Sequence, residues 1–337
     1  MTCQAIKVLS KLHSLTNVEK GICVPFWFEK HEMRRFRRVD IPVKIYITPN
    51  EAIKDQHIFA YRIDYFPPSK QKKINNAKTE MHHWINLIQE QKDVLQPFFK
   101  DFEDYIEYFK KWVQALSEGR CPRMTKEDWL TFHAYAKGVQ RIQTLETSAP
   151  KTFQYFNHLN QKLIAHFKHM AKCVEQSTSS QFVLPEPLSK SFAIDEMKRR
   201  FESSGAAKVP LIQSLYSLYL YMSYTFDAYG ELLNDLSSNS PNPSSWPDAE
   251  VNLSAGGVSI KLDKRYKPNM RCNIDLYFPR NKRLLKFRST LVRAFSVPEY
   301  QAECNAFNFD FPNGHDQHLI QMEIEQYEIR NSMSVAL

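Results

Sequence analysis

Four arginines lie close together near the start of the chain, in the segment Arg34 to Arg38. The guanidinium of arginine donates paired hydrogen bonds to a phosphate or to the O6 and N7 edge of guanine, and its flat face stacks on bases. A guanine dinucleotide offers all three interactions. The alternatives are a solvated basic loop or a patch that contacts RNA phosphates or another subunit, which are commoner for an isolated arginine run.

A second polar segment, Asn252-Leu-Ser254-Ala-Gly256-Gly257, directly precedes an apolar stretch that begins at Val258. The chain has only 8 glycines, so an adjacent pair indicates positive φ or the close approach of another group to the backbone. Asn252 and Ser254 add short hydrogen-bonding side chains. Taken alone, the segment is typical of an Asx- or Ser-capped turn that opens a strand.

Catalytic and metal-binding chemistry has little support in the sequence. The histidines group in three pairs without a convincing carboxylate or cysteine partner, at 82 and 83, 166 and 169, and 315 and 318. We interpret them as surface or core side chains. The 6 cysteines lie far apart, which predicts reduced structural thiols, and no Gly-x-x-x-x-Gly-Lys-Ser loop is present. The sequence therefore predicts neither an enzyme nor a bound metal or cofactor.

The composition also bears on partners and location. The formal net charge of +8 would suit a nucleic acid, but much of it is concentrated in two clusters, at 34–38 and 280–293. Local clusters favour a smaller anionic partner over a nucleic acid polymer. No stretch approaches the roughly eighteen uninterrupted apolar residues that span a bilayer, and residues 1–14 are too polar for a signal peptide. We expect a cytoplasmic protein.

The period of the apolar residues separates strand-like ends from a helical middle. Two-residue alternation predicts strands at 42–48, 258–262, 272–278, 285–294 and 307–311. An amphipathic helix is predicted over 319–330, and the Ser/Asn/Pro-rich segment 237–249 is typical of a linker. Several strands separated by turns favour a small antiparallel barrel, and the first strand must pair with the later ones.

The helical middle carries two long seven-residue apolar repeats. One extends over 81–116 and is broken only at Gln91, and the other extends over 211–236. Further helices are predicted at the capping box that begins at Thr125 and after Pro150. Repeats of this kind form either a coiled-coil oligomer or the aromatic-rich core of an intramolecular bundle, and both alternatives remain open.

Together, the two polar segments resemble the ligand-binding signature of the PilZ family, which is Arg-x-x-x-Arg before the first strand and Asp/Asn-x-Ser-x-x-Gly in the next. Arg34 and Arg38 match the first half, and Asn252, Ser254 and Gly257 match the second. The resemblance implies that the protein binds the bacterial messenger cyclic di-GMP. The two arginines would then wrap its phosphates and guanines, the Asn/Ser turn would bond a guanine edge, and the glycine would keep the turn compact.

The long separation of the two halves resembles the atypical, tetramer-forming PilZ variant, which carries heptad-repeat helices after the first strand. The expected fold is α+β, a small antiparallel PilZ-like β-barrel with a large α-helical coiled-coil or bundle insertion between the first strand and the remaining strands. The predicted domains are an N-terminal extension at 1–30, the first part of the barrel at 31–49, the helical insertion at 50–249, and the rest of the barrel with the C-terminal helix at 250–337.

Two functions follow from this resemblance. In the first, cyclic di-GMP orders the arginine loop against the barrel and reorients the helices, with an output in motility, pilus or polysaccharide machinery. In the second, a non-binding PilZ-like scaffold forms a homo-oligomer through its helices. RNA binding by the basic clusters ranks third.

Overall fold

The computed structural model describes residues 36–53, 56–89, 92–186, 188, 209–237, 242–311 and 314–335. Arg34 and the predicted extension at 1–30 lie outside the described residues. Contacts divide the chain between Arg37 and Arg38, and every element named below belongs to the unit of residues 38–337. None of the described helices is long and apolar enough to cross a membrane.

The described part of the chain is a mixed α+β fold with a closed barrel of six antiparallel strands, in the order β1-β2-β3-β6-β5-β4. The strands are β1 Val39–Pro49, β2 Asp248–Ser254, β3 Gly257–Leu262, β4 Arg271–Phe278, β5 Arg283–Val297 and β6 Ala302–Asp310. Alternate residues of β1 face the barrel interior, where Ile41 and Val43 are 2% exposed, whereas Asp40 is exposed. This is the two-residue period from which the strand was predicted.

The first strand closes the barrel by pairing on both sides. Residues 39–44 pair with β2, and residues 44–49 pair with β4. The prediction that this strand pairs with strands near the end of the chain is therefore confirmed. In the chain, the described helices from Pro68 to Leu236 lie between β1 and β2.

The sequence predicts a linker at 237–249 and then a turn at Asn252, and the prediction of the turn at Asn252 is wrong. β2 begins at Asp248, so Asn252 lies within a strand and not in a turn. Val251 and Leu253 are fully buried in the barrel, while Asn252 between them is half-buried. Two apolar residues among polar neighbours gave too short an alternation to predict this strand.

The long helices are α1 Pro68–Asn86, α2 Lys92–Ser117, α3 Lys126–Tyr135, α4 Pro150–Gln176, α5 Pro210–Leu236 and α6 Gly314–Val335. The predicted capping box begins α3, since the Thr125 hydroxyl accepts a hydrogen bond from the Asp128 N–H at 3.0 Å. Proline occupies the first turn of α1, α4 and α5, where its missing N–H costs nothing. The C-terminal helix α6 is longer at both ends than the predicted 319–330.

The two heptad repeats form an internal core. The first repeat is not one helix, because α1 ends at Asn86 and α2 begins at Lys92. Apolar residues of both repeats are completely buried within the single chain, among them Met81, Phe102, Phe109, Leu218, Met222 and Leu232. The intramolecular alternative accounts for this burial. An oligomer built on the same faces would have to take the core apart.

A buried polar cluster on β6 joins the barrel to the helices. Glu303 is 0% exposed, accepts the backbone N–H of Ser69 in the first turn of α1 at 3.1 Å, and pairs with Arg265 at 2.6 Å. Burial alone would raise the pKa of Glu303, but hydrogen bonds from Ser69 and Arg265 lower it below its ordinary value. The ionised carboxylate therefore ties α1 to β6.

Candidate functional site

The β1–β2 ladder brings together the described parts of the two polar segments. Val39, the first residue of β1, pairs with Leu253. Arg38 immediately precedes Val39 in the chain, and Ser254 immediately follows Leu253 on β2. Antiparallel partners are about 4.5–5.5 Å apart at their Cα atoms, so the half-buried Arg38 lies beside the end of β2. The role of Arg34, outside the described residues, stays a prediction.

Asn252 and Asp40 form a polar pair on the outer face of the barrel. They are direct cross-strand partners, and the Asn252 side-chain amide donates to Asp40 Oδ1 at 2.8 Å. Sequence reasoning missed Asp40, although its position between Val39 and Ile41 already indicated an outward-facing residue. The pair puts a carboxylate, which accepts hydrogen bonds, and an amide, which both donates and accepts them, next to Arg38.

Ser254 holds the β2–β3 turn. Its side chain is 5% exposed, and its hydroxyl donates to the Gly257 carbonyl at 3.2 Å and accepts from the Gly256 N–H at 3.4 Å. The hydroxyl is therefore engaged within the hairpin. From this geometry we assign Ser254 the shaping of the turn that presents Asn252, rather than a contact with a guanine edge.

Gly257 is required by close packing of the backbone. A Cβ atom at this position would lie 2.2 Å from the Phe307 carbonyl oxygen of β6, closer than real contacts allow. The sequence left positive φ and close approach as alternatives for the glycine pair, and close approach is the one that applies to Gly257. Only glycine lets β3 and β6 pair at the base of this hairpin.

The second basic cluster, at 280–293, is divided between two roles. Arg283 pairs with the buried Glu323 of α6 at 2.8 Å, so it fastens the C-terminal helix to the barrel. Arg280 lines a small crevice together with Pro42 of β1. One arginine of this cluster is thus brought near the first half of β1, beyond the Asp40–Asn252 pair.

A larger cleft of about 610 Å³ lies between the end of α2 and the start of α3. Arg62, Lys111 and Lys267 line it, and none of them has a carboxylate partner within the described residues, whereas Arg120 pairs with Glu118 at 2.7 Å. Arg62 has a φ of 56°, an uncommon conformation for a residue with a side chain. Four basic and three acidic residues line the cleft, so it is a rival site for an anion but one of mixed charge, and its scattered segments gave no signal in the sequence.

The histidines behave as core side chains where the fold buries them. The His166 ring stacks on Phe226 at 3.7 Å, and burial lowers its pKa to about 4. His169 shares a hydrogen bond of 2.9 Å with the Tyr229 hydroxyl. Over the described ranges, no group of three or more histidine, cysteine or acidic side chains is arranged to hold a metal ion.

No protein-family model, curated protein or solved structure matches this chain. The resemblance to the PilZ family therefore rests on the residues and the barrel described above, and it remains a prediction.

Proposed function

We propose that the chain is a receptor for cyclic di-GMP, built on a PilZ-like barrel. The observation that carries this proposal is the ladder in which Val39 pairs with Leu253. Because of that pairing, Arg38 and the Asn252–Gly257 hairpin meet at one end of one barrel, although five long helices separate them in the chain. If the resemblance were a chance match, Arg38 and this hairpin would have no particular reason to lie side by side.

The chemistry of the outer face suits a guanine dinucleotide. Cyclic di-GMP carries two phosphates and two guanines, and Arg34 and Arg38 donate to the phosphate oxygens and to the O6 and N7 edge of guanine. The Asn252 amide hydrogen-bonds a guanine at an edge that the arginines leave open, and the Asp40 carboxylate accepts hydrogen bonds from guanine N–H groups. Gly257 allows the compact hairpin that presents these groups.

The barrel offers a route from this site to the helices. Gly257 begins β3, which pairs with β6, and β6 carries the Glu303 carboxylate that accepts the N–H of Ser69 in α1. Ligand that contacts Arg38 and shifts the hairpin therefore acts on the start of α1 through β6. We expect the output partner, in motility, pilus or polysaccharide machinery, to contact the helices.

The second function, a non-binding scaffold that forms a homo-oligomer, has less support. The residues that would make a coiled-coil seam are buried within the chain, as Phe109 and Met222 show with 0% exposure. We expect any homo-oligomer to use other surfaces of the helices. Light scattering coupled to size-exclusion chromatography, with and without ligand, measures this directly.

Calorimetric titration of the full chain with cyclic di-GMP tests the receptor proposal. An Arg34→Ala/Arg38→Ala variant removes the two guanidinium groups, and an Arg62→Ala/Lys111→Ala variant removes the same charge from the rival cleft. Each charge-assisted hydrogen bond contributes about 1.5–3 kcal/mol, so the first variant is expected to weaken binding at least about a hundredfold. The cleft variant is expected to bind like the parent.

Two results would contradict the proposal. Absence of heat and of any thermal shift with the intact protein would leave the scaffold function. Binding that the cleft variant loses and the Arg34→Ala/Arg38→Ala variant keeps would move the ligand to the cleft around Arg62. Cyclic di-AMP serves as the base control, because it has the same phosphates but lacks the guanine O6 acceptor.

A further inference from the structure

The barrel wall opens between β1 and β3 into a cavity of about 340 Å³, here called the β1–β3 pocket. The ladder between β2 and β3 ends at Asn252 and Ser259, so the rest of β3 has no β2 partner. The second half of β1, after Lys44, pairs with β4 along one edge and has no β2 partner along the other. The pocket fills the gap, and the C-terminal end of α5 covers one side of it.

Most of the pocket surface is apolar or aromatic. Ile45 and Ile260 lie at its base and are 5% and 2% exposed. Tyr46 and Trp246 form one wall, where their rings stack at 5.5 Å between centroids. Cavities of this size and composition, in or beside β-barrels, are a common form of small-molecule site.

Tyr266 is one of the residues that line this pocket, and its buried hydroxyl has no hydrogen-bond partner among the described residues. Buried hydroxyl groups in folded proteins nearly always have a partner, so an orphaned one needs an explanation. Burial raises the pKa of Tyr266 well above its ordinary value, and the nearby charge of Asp235 raises it further. The group therefore stays protonated and available as a donor.

A second donor lies next to it. The Lys264 ammonium is 5.5 Å from the centre of the Tyr266 ring and pairs with one oxygen of the buried Asp235. The other Asp235 oxygen accepts from the Tyr65 hydroxyl at 2.8 Å. Each Asp235 oxygen already accepts one hydrogen bond, whereas the Tyr266 hydroxyl and the Lys264 ammonium still have protons to donate at this end of the pocket.

We propose that the β1–β3 pocket binds a small, flat organic molecule with an acceptor oxygen, of the class of aromatic amides and carboxylates. Its ring lies on the apolar base beside Tyr46 and Trp246, and its oxygen accepts from Tyr266 and Lys264. The pocket is separate from the proposed nucleotide site, since the seven residue steps from Arg38 to Ile45 span about 23 Å at the rise of an extended strand.

Ligand-observed saturation-transfer NMR with benzamide and benzoate, on the full chain, tests this proposal. Tyr266→Phe removes only the orphaned hydroxyl, and Ser245→Trp adds a ring at an exposed residue on the rim. Tyr300→Phe, at a tyrosine that is 59% exposed on another part of the barrel, is the matched control. Tyr266→Phe is expected to weaken benzamide binding about tenfold, the loss of one hydrogen bond, and Ser245→Trp to abolish it.

The proposal is overturned if neither probe binds the parent protein at about 10 mM, well above the millimolar affinity of a weak site, since ordered water would then satisfy Tyr266. Binding that survives Ser245→Trp would lie elsewhere and would also overturn it. Equal affinity for benzamide in the parent and in Tyr266→Phe would overturn the proposed hydrogen bond from Tyr266 to the ligand oxygen. Cyclic di-GMP binding is expected to be unchanged in Tyr266→Phe, so failure here is distinguishable from failure of the receptor proposal.

Discussion

Replacing Glu303 by glutamine tests the junction between the barrel and the helices. The substitution keeps the size of the side chain but removes the charge that accepts from Ser69 and from both Nε and Nη2 of Arg265, at 2.9 and 2.6 Å. Breaking a buried ion pair costs about 3–5 kcal/mol, because the remaining charge is left uncompensated. The Arg265 side chain is 30% exposed, so water replaces part of the lost interaction. We therefore expect the lower end of this range, about 3 kcal/mol.

Urea unfolding followed by circular dichroism measures this cost. Asp263→Asn is the control, because Asp263 also pairs with a cation, Lys73 at 3.2 Å, but is exposed to solvent, and the substitution is expected to cost at most about 1 kcal/mol. Since the pKa of Glu303 is lowered from 4.5, its contribution is fully present above pH 4.5 and is lost as the pH falls through the lower value of the folded state. The reasoning is refuted if Glu303→Gln lowers the free energy of unfolding no more than the control does at neutral pH. It is also refuted if the difference in free energy of unfolding between the parent and Glu303→Gln does not become smaller in acid.

Two further substitutions test the packing. Gly257→Ala is expected to lower the free energy of unfolding by about 1–3 kcal/mol, since its Cβ meets the Phe307 carbonyl. Gly230→Ala in α5, where a Cβ meets nothing within 4 Å, is expected to raise it by up to about 1 kcal/mol, and equal effects in urea unfolding would contradict this assignment. Burial lowers the pKa of Lys162 to about 8, so the unfolded chain binds more protons between pH 8 and 10.5 and stability rises with pH in that window. Lys162→Met is therefore expected to gain about 1–3 kcal/mol at pH 7 and less near pH 10.5, and thermal unfolding without such a gain would count against a costly buried charge.

The barrel could be predicted from the sequence where alternation was long enough. The four alternating apolar residues of β4 are all buried, and in β1 Ile41, Val43 and Ile45 are buried while Ile47 is half-buried. In β2 only Val251 and Leu253 show this alternation. The Ser/Asn/Pro-rich residues before them are typical of a linker, so the strand was not predicted. The period of a strand is visible only when several turns of the pleat repeat it.

The motif residues were informative about chemical type and less so about individual roles. Ser254 and Asn252 were grouped as hydrogen-bonding groups for a base edge, but the fold turns the Ser254 hydroxyl into the hairpin and joins Asn252 to Asp40. Which side of a strand a residue faces follows from its alternation with Ile41 or Leu253. Which partner it meets depends on the register between β1 and β2. The alternation excludes a shift by one residue but not by two, and no tight turn joins these strands to fix the register.

The heptad repeats show the same limit in the helices. Spacing of three and four residues establishes that one face of a helix is buried, but it carries no information on what covers that face. Large rings at Phe102 and Phe109 fill the unequal spaces between crossing helices, as the contacts of Phe109 with Phe167, Phe226 and Tyr229 show. A two-stranded seam repeats equivalent contacts along its length and favours aliphatic residues that fit into equivalent holes. Aromatic content was therefore the feature of these repeats that favoured a single-chain bundle over a coiled coil between chains.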